Sequence, residues 1–162
     1  MLETYQARYL TPFAVLGIRA AGERLEGIDY LPRGAATLDP LTRFAERVCR
    51  QIQRYLEDPA FAFDLPFEYI GSGFQCTVWR AIHGIPSGRT LTYKALAQRL
   101  RTSPRPVGGA CGANRIPLVI PCHRVVASGG IGGFMHARSG PGIEIKRWLL
   151  RHEGAAALLG NK

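Results

Sequence analysis

The residues best suited to carry out chemistry in this sequence are Cys122 and the histidine that follows it directly, His123. A cysteine reacts as its thiolate, and a free thiol is mostly protonated at neutral pH, so an adjacent base or a helix N-terminus is needed to activate it. Side chains of adjacent residues usually diverge, and a bridging water is therefore an alternative to direct contact. A third group would orient the histidine, and Glu144 and Glu153 are the candidates.

The other cysteines carry no comparable signal. No two of the four cysteines form a Cys-x-x-Cys pair, and the histidines do not supply a zinc-finger spacing. We interpret Cys49, Cys76 and Cys111 as small buried apolar residues in a reducing compartment, and we predict no metal site.

The composition favours a basic, globular protein with a polyanionic partner. The formal net charge is +9 and the sequence pI is about 10.0, a balance that suits nucleic acid without identifying it. Hydrophobic residues make up 46%, enough for a packed core. No apolar run approaches the roughly 18 residues of a membrane span, and the first residues lack the pattern of a signal peptide. We expect a cytoplasmic protein with no membrane partner.

The N-terminal half predicts a small sheet and one helix. Residues 4–9, 13–19 and 25–31 alternate like the strands of an antiparallel meander. Residues 39–57 form a helical pattern that ends before Pro59. The apolar face of that helix is predicted to consist of Leu41, Phe44, Val48, Ile52 and Leu56.

The C-terminal half predicts mainly helices. One begins after Ser72, and two short ones follow, the first over residues 93–100 with Thr92 as its N-cap. Ser103 is the predicted cap of the second, with Pro104 in the first turn, where proline is tolerated. Two short helices joined by a tight turn indicate a helix-turn-helix. The domain boundary is placed near Gly71, giving domains of residues 1–70 and 71–162.

The second short helix contains three glycines, Gly108, Gly109 and Gly112. Each interior glycine costs about 0.5–1 kcal/mol relative to alanine, so three require a reason. Either another helix packs closely against them, or a nearly flat surface lets the helix lie against a nucleic-acid backbone. The sequence leaves both alternatives open.

The segment around the reactive cysteine is bounded by prolines. Residues 116–121 are predicted to form a short buried strand that ends at Pro121 and places Cys122 at its end. A loop with six glycines follows over residues 128–142, and a last helix is predicted over 143–153.

Several motifs in the same order resemble the O6-alkylguanine-DNA alkyltransferases, also called methylated-DNA–protein-cysteine methyltransferases. The resemblance spans about residues 71–154. The motifs are Ile120-Pro121-Cys122-His123-Arg124-Val125, Phe74-Gln75 with Val78-Trp79, Ile85-Pro86-x-Gly88-x-Thr90-x-x-Tyr93-x-x-Leu96-Ala97, Arg105-x-Val107-Gly108-Gly109-Ala110, Asn114, and Lys146-x-Trp148-Leu149-Leu150-x-His152-Glu153.

The resemblance implies a fold and a catalytic set. The fold is α+β, with a small N-terminal antiparallel sheet and a helix of structural duty, followed by a mainly helical domain that contains a helix-turn-helix. Cys122 is implied to accept the alkyl group, and His123 to remove its proton through water. Glu153 is implied to orient His123, and Asn114 to hold the turn between the recognition helix and the active site.

The resemblance also implies how DNA is bound. Tyr93 would help to rotate the phosphate of the target nucleotide, and Arg105 would enter the stack through the minor groove to fill the space of the flipped base. The glycine surface of Gly108, Gly109 and Gly112 would lie near the backbone. The segment lining the guanine is predicted to include Val125, Val126, Ser128 and Phe134.

The implied function is repair of O6-alkylguanine in double-stranded DNA, and the sequence leaves open whether O4-alkylthymine is a second substrate. The alkyl group passes irreversibly to the protein, which acts once and needs no cofactor. A monomer is expected, with cooperative clustering along DNA as a further option.

The sequence departs from the family pattern at three places. The chain is about two residues shorter between Tyr93 and Arg105. The loop over residues 133–142 is longer than usual and has Phe134 where the family commonly has a tyrosine. The zinc ligands of some relatives are missing.

Two other classes of function remain as alternatives. One is a protein that binds damaged DNA without transfer, although such relatives replace the cysteine that this chain keeps. The other is a cysteine hydrolase using Cys122 and His123, which repeated turnover of an ester would reveal.

Overall fold

The computed structural model describes residues 4–133 and 141–155 and has the α+β architecture that the sequence predicted. A small antiparallel sheet with one helix comes first, and a mainly helical region follows. The chain forms two compact units, Met1–Glu68 and Tyr69–Lys162. None of the described helices is both long and apolar enough to cross a bilayer.

The sheet of the first unit is the predicted antiparallel meander. Its strands are β1 (Ala7–Leu10), β2 (Val15–Ala21) and β3 (Arg24–Leu31), in the order β1-β2-β3. The first two strands begin later than the alternation indicated, and Thr11 closes the turn between them by accepting a hydrogen bond from the Ala14 amide at 3.0 Å. The sheet buries Ala7, Val15, Leu16, Ile18, Leu25 and Ile28.

The helix of this unit, α1 (Arg43–Glu57), begins four residues later than predicted. Thr42 is its N-cap, with a side chain that accepts a hydrogen bond from the backbone at Ala45. Leu41 does not join the apolar face, because its amide donates to the Gln6 carbonyl at 2.8 Å and its side chain is 62% exposed. The helix buries Phe44, Ala45, Val48, Cys49, Ile52 and Tyr55, and Leu56 is only half-buried.

The second unit begins with α2 (Gly73–His83), whose start the sequence predicted. Ser72 caps the helix and Gln75 completes a capping box, so that two otherwise unpaired amides are satisfied. The Trp79 indole nitrogen donates to the Ala110 carbonyl at 2.8 Å. This hydrogen bond fixes α2 against the second helix of the helix-turn-helix.

That motif consists of α3 (Tyr93–Arg99) and α4 (Pro104–Gly112), which pack together as predicted. The Thr92 side chain caps α3. Ser103 occupies the N-cap position of α4 but makes no capping hydrogen bond with its side chain, contrary to the expectation. Arg101 adopts φ +57° in the connecting turn, a left-handed conformation that allows the chain to reverse within few residues.

The prediction of a strand over residues 116–121 was wrong, because this segment is a turn. The Ile120 amide donates to the Ile116 carbonyl at 2.9 Å, and Leu118 has φ +77°. Prolines 117 and 121 cannot donate to a strand ladder, which explains why an apolar run does not become a strand. The turn leads directly into a single 3-10 turn, Cys122–Arg124.

A two-residue parallel ladder joins the helix-turn-helix to this 3-10 turn. Its strands are β4 (Leu91–Thr92) and β5 (Val125–Val126), and the sequence pattern did not predict this ladder. The last helix, α5 (Pro141–His152), begins two residues before the predicted start. Its Leu150 packs with Val126 of β5 and with Ala155 in one buried cluster.

Candidate active site and nucleic-acid interface

Cys122 lies at the start of the 3-10 turn, where its side chain is buried and 3% of the residue surface is exposed. The Asn114 side-chain amide donates to the Cys122 Sγ at 3.3 Å and to the Ile120 carbonyl at 2.8 Å. The Asn114 carbonyl oxygen accepts from the Ile116 amide at 3.0 Å. Asn114 follows Ala113, the C-cap of α4, and therefore ties the end of that helix to the cysteine and to the turn before it.

The environment of the thiol acts on its protonation in two directions. Burial raises the pKa of Cys122, because the thiolate loses its hydration. The hydrogen bond from Asn114 and the positive charge of Lys146 lower this pKa. Burial is the larger effect, so the thiol is protonated at rest and a base must accept its proton before it can act as a nucleophile.

His123 is fully buried and forms a 2.8 Å hydrogen bond from its Nε2 to Glu153 Oε2. Burial lowers the pKa of His123, and the adjacent carboxylate of Glu153 opposes that shift. Among the described residues His123 Nδ1 has no hydrogen-bond partner. Glu144, the other candidate partner of His123, is exposed, and its Oε2 lies 3.7 Å from Arg147 Nε. The imidazole is thus oriented by Glu153 through one nitrogen, and the other nitrogen can receive a proton.

Arg124 completes this site, and the sequence interpretation assigned it no role. Its Nε donates to Glu153 Oε1 at 2.8 Å and its Nη2 to Oε2 at 3.0 Å. Its Nη1 donates to the Ile85 carbonyl at 2.6 Å. Burial raises the pKa of Glu153, but His123 and Arg124 together outweigh that effect and hold it well below its usual range. The carboxylate is therefore ionised over the physiological pH range.

Lys146 is a second buried charge that the sequence interpretation left without a role. Its Nζ donates to the Val125 carbonyl at 2.7 Å and to the Gly133 carbonyl at 2.8 Å. The Tyr93 hydroxyl donates to the same Gly133 carbonyl at 3.2 Å. Gly132, with φ +74°, lies so close to the Tyr93 ring that a Cβ there would be 2.9 Å from it. Tyr93 and Lys146 thus hold the start of the glycine-rich loop next to the catalytic turn.

The recognition helix α4 presents an uncrowded surface. Arg105 is exposed in its first turn, and Gly109 is exposed farther along the helix. A Cβ added at Gly108 or Gly109 would meet no atom of the described structure within 4 Å. Close packing inside the protein therefore does not explain these two glycines, and the alternative of an external partner is the one that remains. Gly112 ends the helix and is half-buried.

The predicted substrate loop is only partly a loop. Val125 and Val126 form β5 and bury their side chains. A contact of these two residues with a base would therefore be made by their backbone. Ser128 is exposed just after the strand. Phe134 lies outside the described residues.

Charge is divided unevenly between the two units. Residues 69–162 contain 13 of the 21 lysines and arginines but 2 of the 12 aspartates and glutamates. Residues 1–68 contain 8 and 10, so the formal net charges are +11 and −2. A polyanion is attracted to the second unit, which carries the helix-turn-helix.

The predicted catalytic residues form two buried hydrogen-bonded pairs, Asn114 with Cys122 and Glu153 with His123, which meet at the adjacent positions of Cys122 and His123 in the chain. Tyr93 donates to the Gly133 carbonyl, whereas Arg105 lies on the exposed side of α4. Across residues 4–133 and 141–155, no three Cys, His, Asp or Glu side chains are grouped as metal ligands would be. The arrangement suits a one-step transfer to a buried thiol with an adjacent, oriented base.

Residues 73–155 match the family model described as 6-O-methylguanine DNA methyltransferase, DNA binding domain. The chain is 32% identical over 148 residues to the methylated-DNA–protein-cysteine methyltransferase of Metallosphaera sedula, covering 91% of each chain. It is 47% identical over 81 residues to that of Saccharolobus islandicus, covering 50% of each. The shorter match covers half of the chain at the higher identity.

Solved structures of similar fold point the same way. The structure of Mycobacterium tuberculosis OGT in complex with DNA superposes with a TM-score of 0.77 and 31% identity, over 95% of this chain and 94% of that one. An O6-methylguanine DNA methyltransferase from Methanococcus jannaschii gives a TM-score of 0.66 and 26% identity, over 90% and 92%. The likeness therefore extends across both units of the chain.

Proposed function

The chain belongs to the methylated-DNA–protein-cysteine methyltransferase family, and on this premise we propose that it repairs alkylated DNA by transferring the alkyl group from guanine O6 to Cys122. The observation that carries the proposal is the buried site in which Asn114 donates to Cys122 and Glu153 orients His123, the next residue in the chain. These residues lie within the part of the chain that the family model matches.

In the proposed reaction His123 Nδ1 accepts the thiol proton of Cys122 through a water, and the thiolate attacks the alkyl carbon. The S–C bond forms as the C–O6 bond breaks, and the electron pair of that bond stays on the guanine, which takes up a proton. Glu153 stabilises the imidazolium that forms, and Asn114 donates to the sulfur while it is an anion. The thioether product is stable, so each molecule acts once and no cofactor takes part.

Guanine O6 cannot reach a buried sulfur while the base is stacked, so the target nucleotide must leave the duplex. We assign insertion into the vacated space to Arg105, which is exposed in the first turn of α4. Tyr93 would rotate the target phosphate. Its position supports this role, because the β4–β5 ladder holds the start of α3 next to the catalytic turn.

The rest of the proposed DNA interface is backbone rather than side chain. The surface of Gly108, Gly109 and Gly112 would let α4 approach the minor groove closely. The segment that includes Val125, Val126, Ser128 and Phe134 would line the guanine. The protein would act in the cytoplasm as a monomer, and clustering along DNA would be visible as sigmoidal binding to long duplexes.

The stoichiometry of repair tests this proposal. A duplex with one O6-methylguanine is mixed with a fivefold deficit of protein, and restored guanine is counted by digestion and chromatography. We expect repair to stop at one lesion per protein molecule. A Cys122→Ser variant should repair nothing yet bind the duplex with unchanged affinity. Continued repair beyond one equivalent, or full activity of the variant, would overturn the proposal.

A further inference from the structure

We propose that Arg124 is a positioning residue for the transfer reaction, because its grip on both oxygens of Glu153 keeps His123 neutral and ready to accept the Cys122 proton. The inference rests on the proposed transfer to Cys122. Arg124 contacts the Glu153 carboxylate and the Ile85 carbonyl, and it acts through the carboxylate.

The geometry of the contact is that of a guanidinium fork. Nε and Nη2 of Arg124 donate to the two separate oxygens of Glu153, at 2.8 and 3.0 Å, and the third nitrogen is fixed by the Ile85 carbonyl at 2.6 Å. The side chains are 11% and 1% exposed, so solvent screens the pair weakly. A guanidinium does not lose its proton in proteins, and the positive charge is permanent.

This charge decides how Glu153 acts on His123. A buried carboxylate whose only partner is an imidazole attracts a proton onto that ring, and a protonated ring cannot serve as a base. Because Arg124 binds the same carboxylate, its positive charge offsets most of the negative charge of Glu153, and Glu153 then attracts a proton to His123 less strongly. Glu153 Oε2 still accepts from His123 Nε2 at 2.8 Å, so the ring keeps its orientation while its basic nitrogen stays unprotonated.

Other charged groups face this site from the neighbouring elements. Lys146 on α5 is buried and acts on His123 in the same direction as Arg124. From α2, the His83 side chain also faces Arg124, and partial burial together with the charge of Arg124 lowers the pKa of His83. Arg80 on α2 is exposed. Arg124 donates to both oxygens of the Glu153 carboxylate, so its removal alters the charge of that carboxylate directly.

The test is the pH dependence of single-turnover methyl transfer in Arg124→Met and Arg124→Lys, measured from about pH 5 to 9 around the ordinary histidine pKa. In Arg124→Met we expect the acid limb of the rate profile to move up by at least about one pH unit, with the rate at pH 7 reduced roughly tenfold and recovering at high pH. Arg124→Lys keeps a cation and should show a smaller shift. Arg50→Met, which removes an exposed arginine paired with Glu46 at 3.1 Å, is the matched control and should change nothing.

A uniform loss of rate at every pH, with the midpoint unchanged, would show that Arg124 only maintains the fold and would overturn the inference. If Arg124→Met does not fold, the inference is judged from Arg124→Lys. The midpoint of its acid limb must then lie above that of the wild-type protein, and an equal midpoint overturns the inference. If the wild-type protein transfers no methyl group, the proposed function fails, and the inference is then judged separately by ¹⁵N NMR titration of His123. A higher His123 pKa in Arg124→Lys than in wild type supports it, and equal values overturn it.

Discussion

Cys122 combines a reactive role with a protected position. A thiol that is used only once must not be oxidised or alkylated before it meets its substrate. Burial keeps the thiol protonated, and the groups that favour the thiolate, Asn114 and Lys146, act against that larger effect. The protein therefore holds the nucleophile in its unreactive form until His123 removes the proton. Reactivity toward small thiol reagents should be low in the free protein for the same reason.

The network around Glu153 makes a prediction about stability. Glu153→Gln leaves Arg124 without a counter-charge, and we expect the free energy of unfolding at pH 7 to fall by about 3–5 kcal/mol. The folded state holds the Glu153 pKa well below its usual value of about 4.3, so this stabilisation is present above that value and is lost as the pH falls through the folded-state pKa. Urea unfolding of both proteins should show the difference shrinking below about pH 4.

A difference that stays constant into strong acid would contradict this account, because it would mean that the ionised carboxylate is not the stabilising form. The exposed Glu57 offers a matched control. Glu57→Gln should change the free energy of unfolding by less than about 0.5 kcal/mol at any of these pH values.

At the residue scale the sequence predicted part of the site. The Cys122–His123 pair was visible from residue types alone, whereas the choice of Glu153 over Glu144 came from the family resemblance. Lys146 was missed as a functional residue because a lysine in a helix usually faces solvent. Its burial depends on the carbonyls of Val125 and Gly133, which only the tertiary fold brings to it.

At the scale of elements, the glycines of the recognition helix α4 lower its stability and leave room for close contact with DNA. Gly108→Ala and Gly109→Ala should each raise the free energy of unfolding by about 0.5–1 kcal/mol, since alanine favours the helix and its Cβ meets no atom within 4 Å. The added methyl groups should hold DNA away from the helix. Affinity for duplex should fall roughly tenfold, equivalent to about 1.4 kcal/mol.

Denaturant unfolding and fluorescence anisotropy measure the two effects on the same samples. Gly34→Ala is the matched control, because Gly34 is exposed in the first unit and a Cβ there also meets no atom within 4 Å. It should leave DNA affinity unchanged. If the α4 variants gain stability without losing affinity, these glycines do not serve DNA binding.

Arg105, in the first turn of the same helix, makes a separate prediction. Arg105→Ala should slow repair of O6-methylguanine in duplex at least tenfold, because the cost of unstacking, a few kcal/mol, is no longer offset by insertion. Reaction with the free O6-alkylguanine base needs no unstacking and should keep its rate. Parallel single-turnover assays on the two substrates compare them, and equal slowing of both would mean that Arg105 does not assist extrusion.

The sequence predicted the elements that have a repeating pattern and missed those that do not. The meander, α2 and the helix-turn-helix follow from apolar periodicity and caps. The two-residue strands of the β4–β5 ladder have no period to detect. The apolar run over residues 116–121 resembled a strand, and only the positive φ at Leu118 and the missing donors of its prolines make it a turn.

At the scale of the whole molecule, the charge difference between the units predicts strong salt dependence. With a net charge of +11 on residues 69–162, even about 4 phosphate contacts should reduce duplex affinity roughly hundredfold between about 50 and 200 mM salt. For undamaged duplex, the slope of log affinity against log salt concentration should be nearly the same, since the electrostatic contribution does not depend on sequence. Anisotropy titrations at four salt concentrations measure it, and a flat response would exclude binding dominated by phosphate contacts.

The central claim is that one alkyl group moves from guanine O6 to Cys122, and the mass of the intact protein tests it most directly. After mixing with a duplex that contains a single O6-methylguanine, the protein should gain the mass of one methylene unit. Peptide mapping should place the gain on Cys122 and leave Cys49, Cys76 and Cys111 unchanged. An unchanged mass on protein that remains bound to the duplex, or a gain on another cysteine, would contradict the claim.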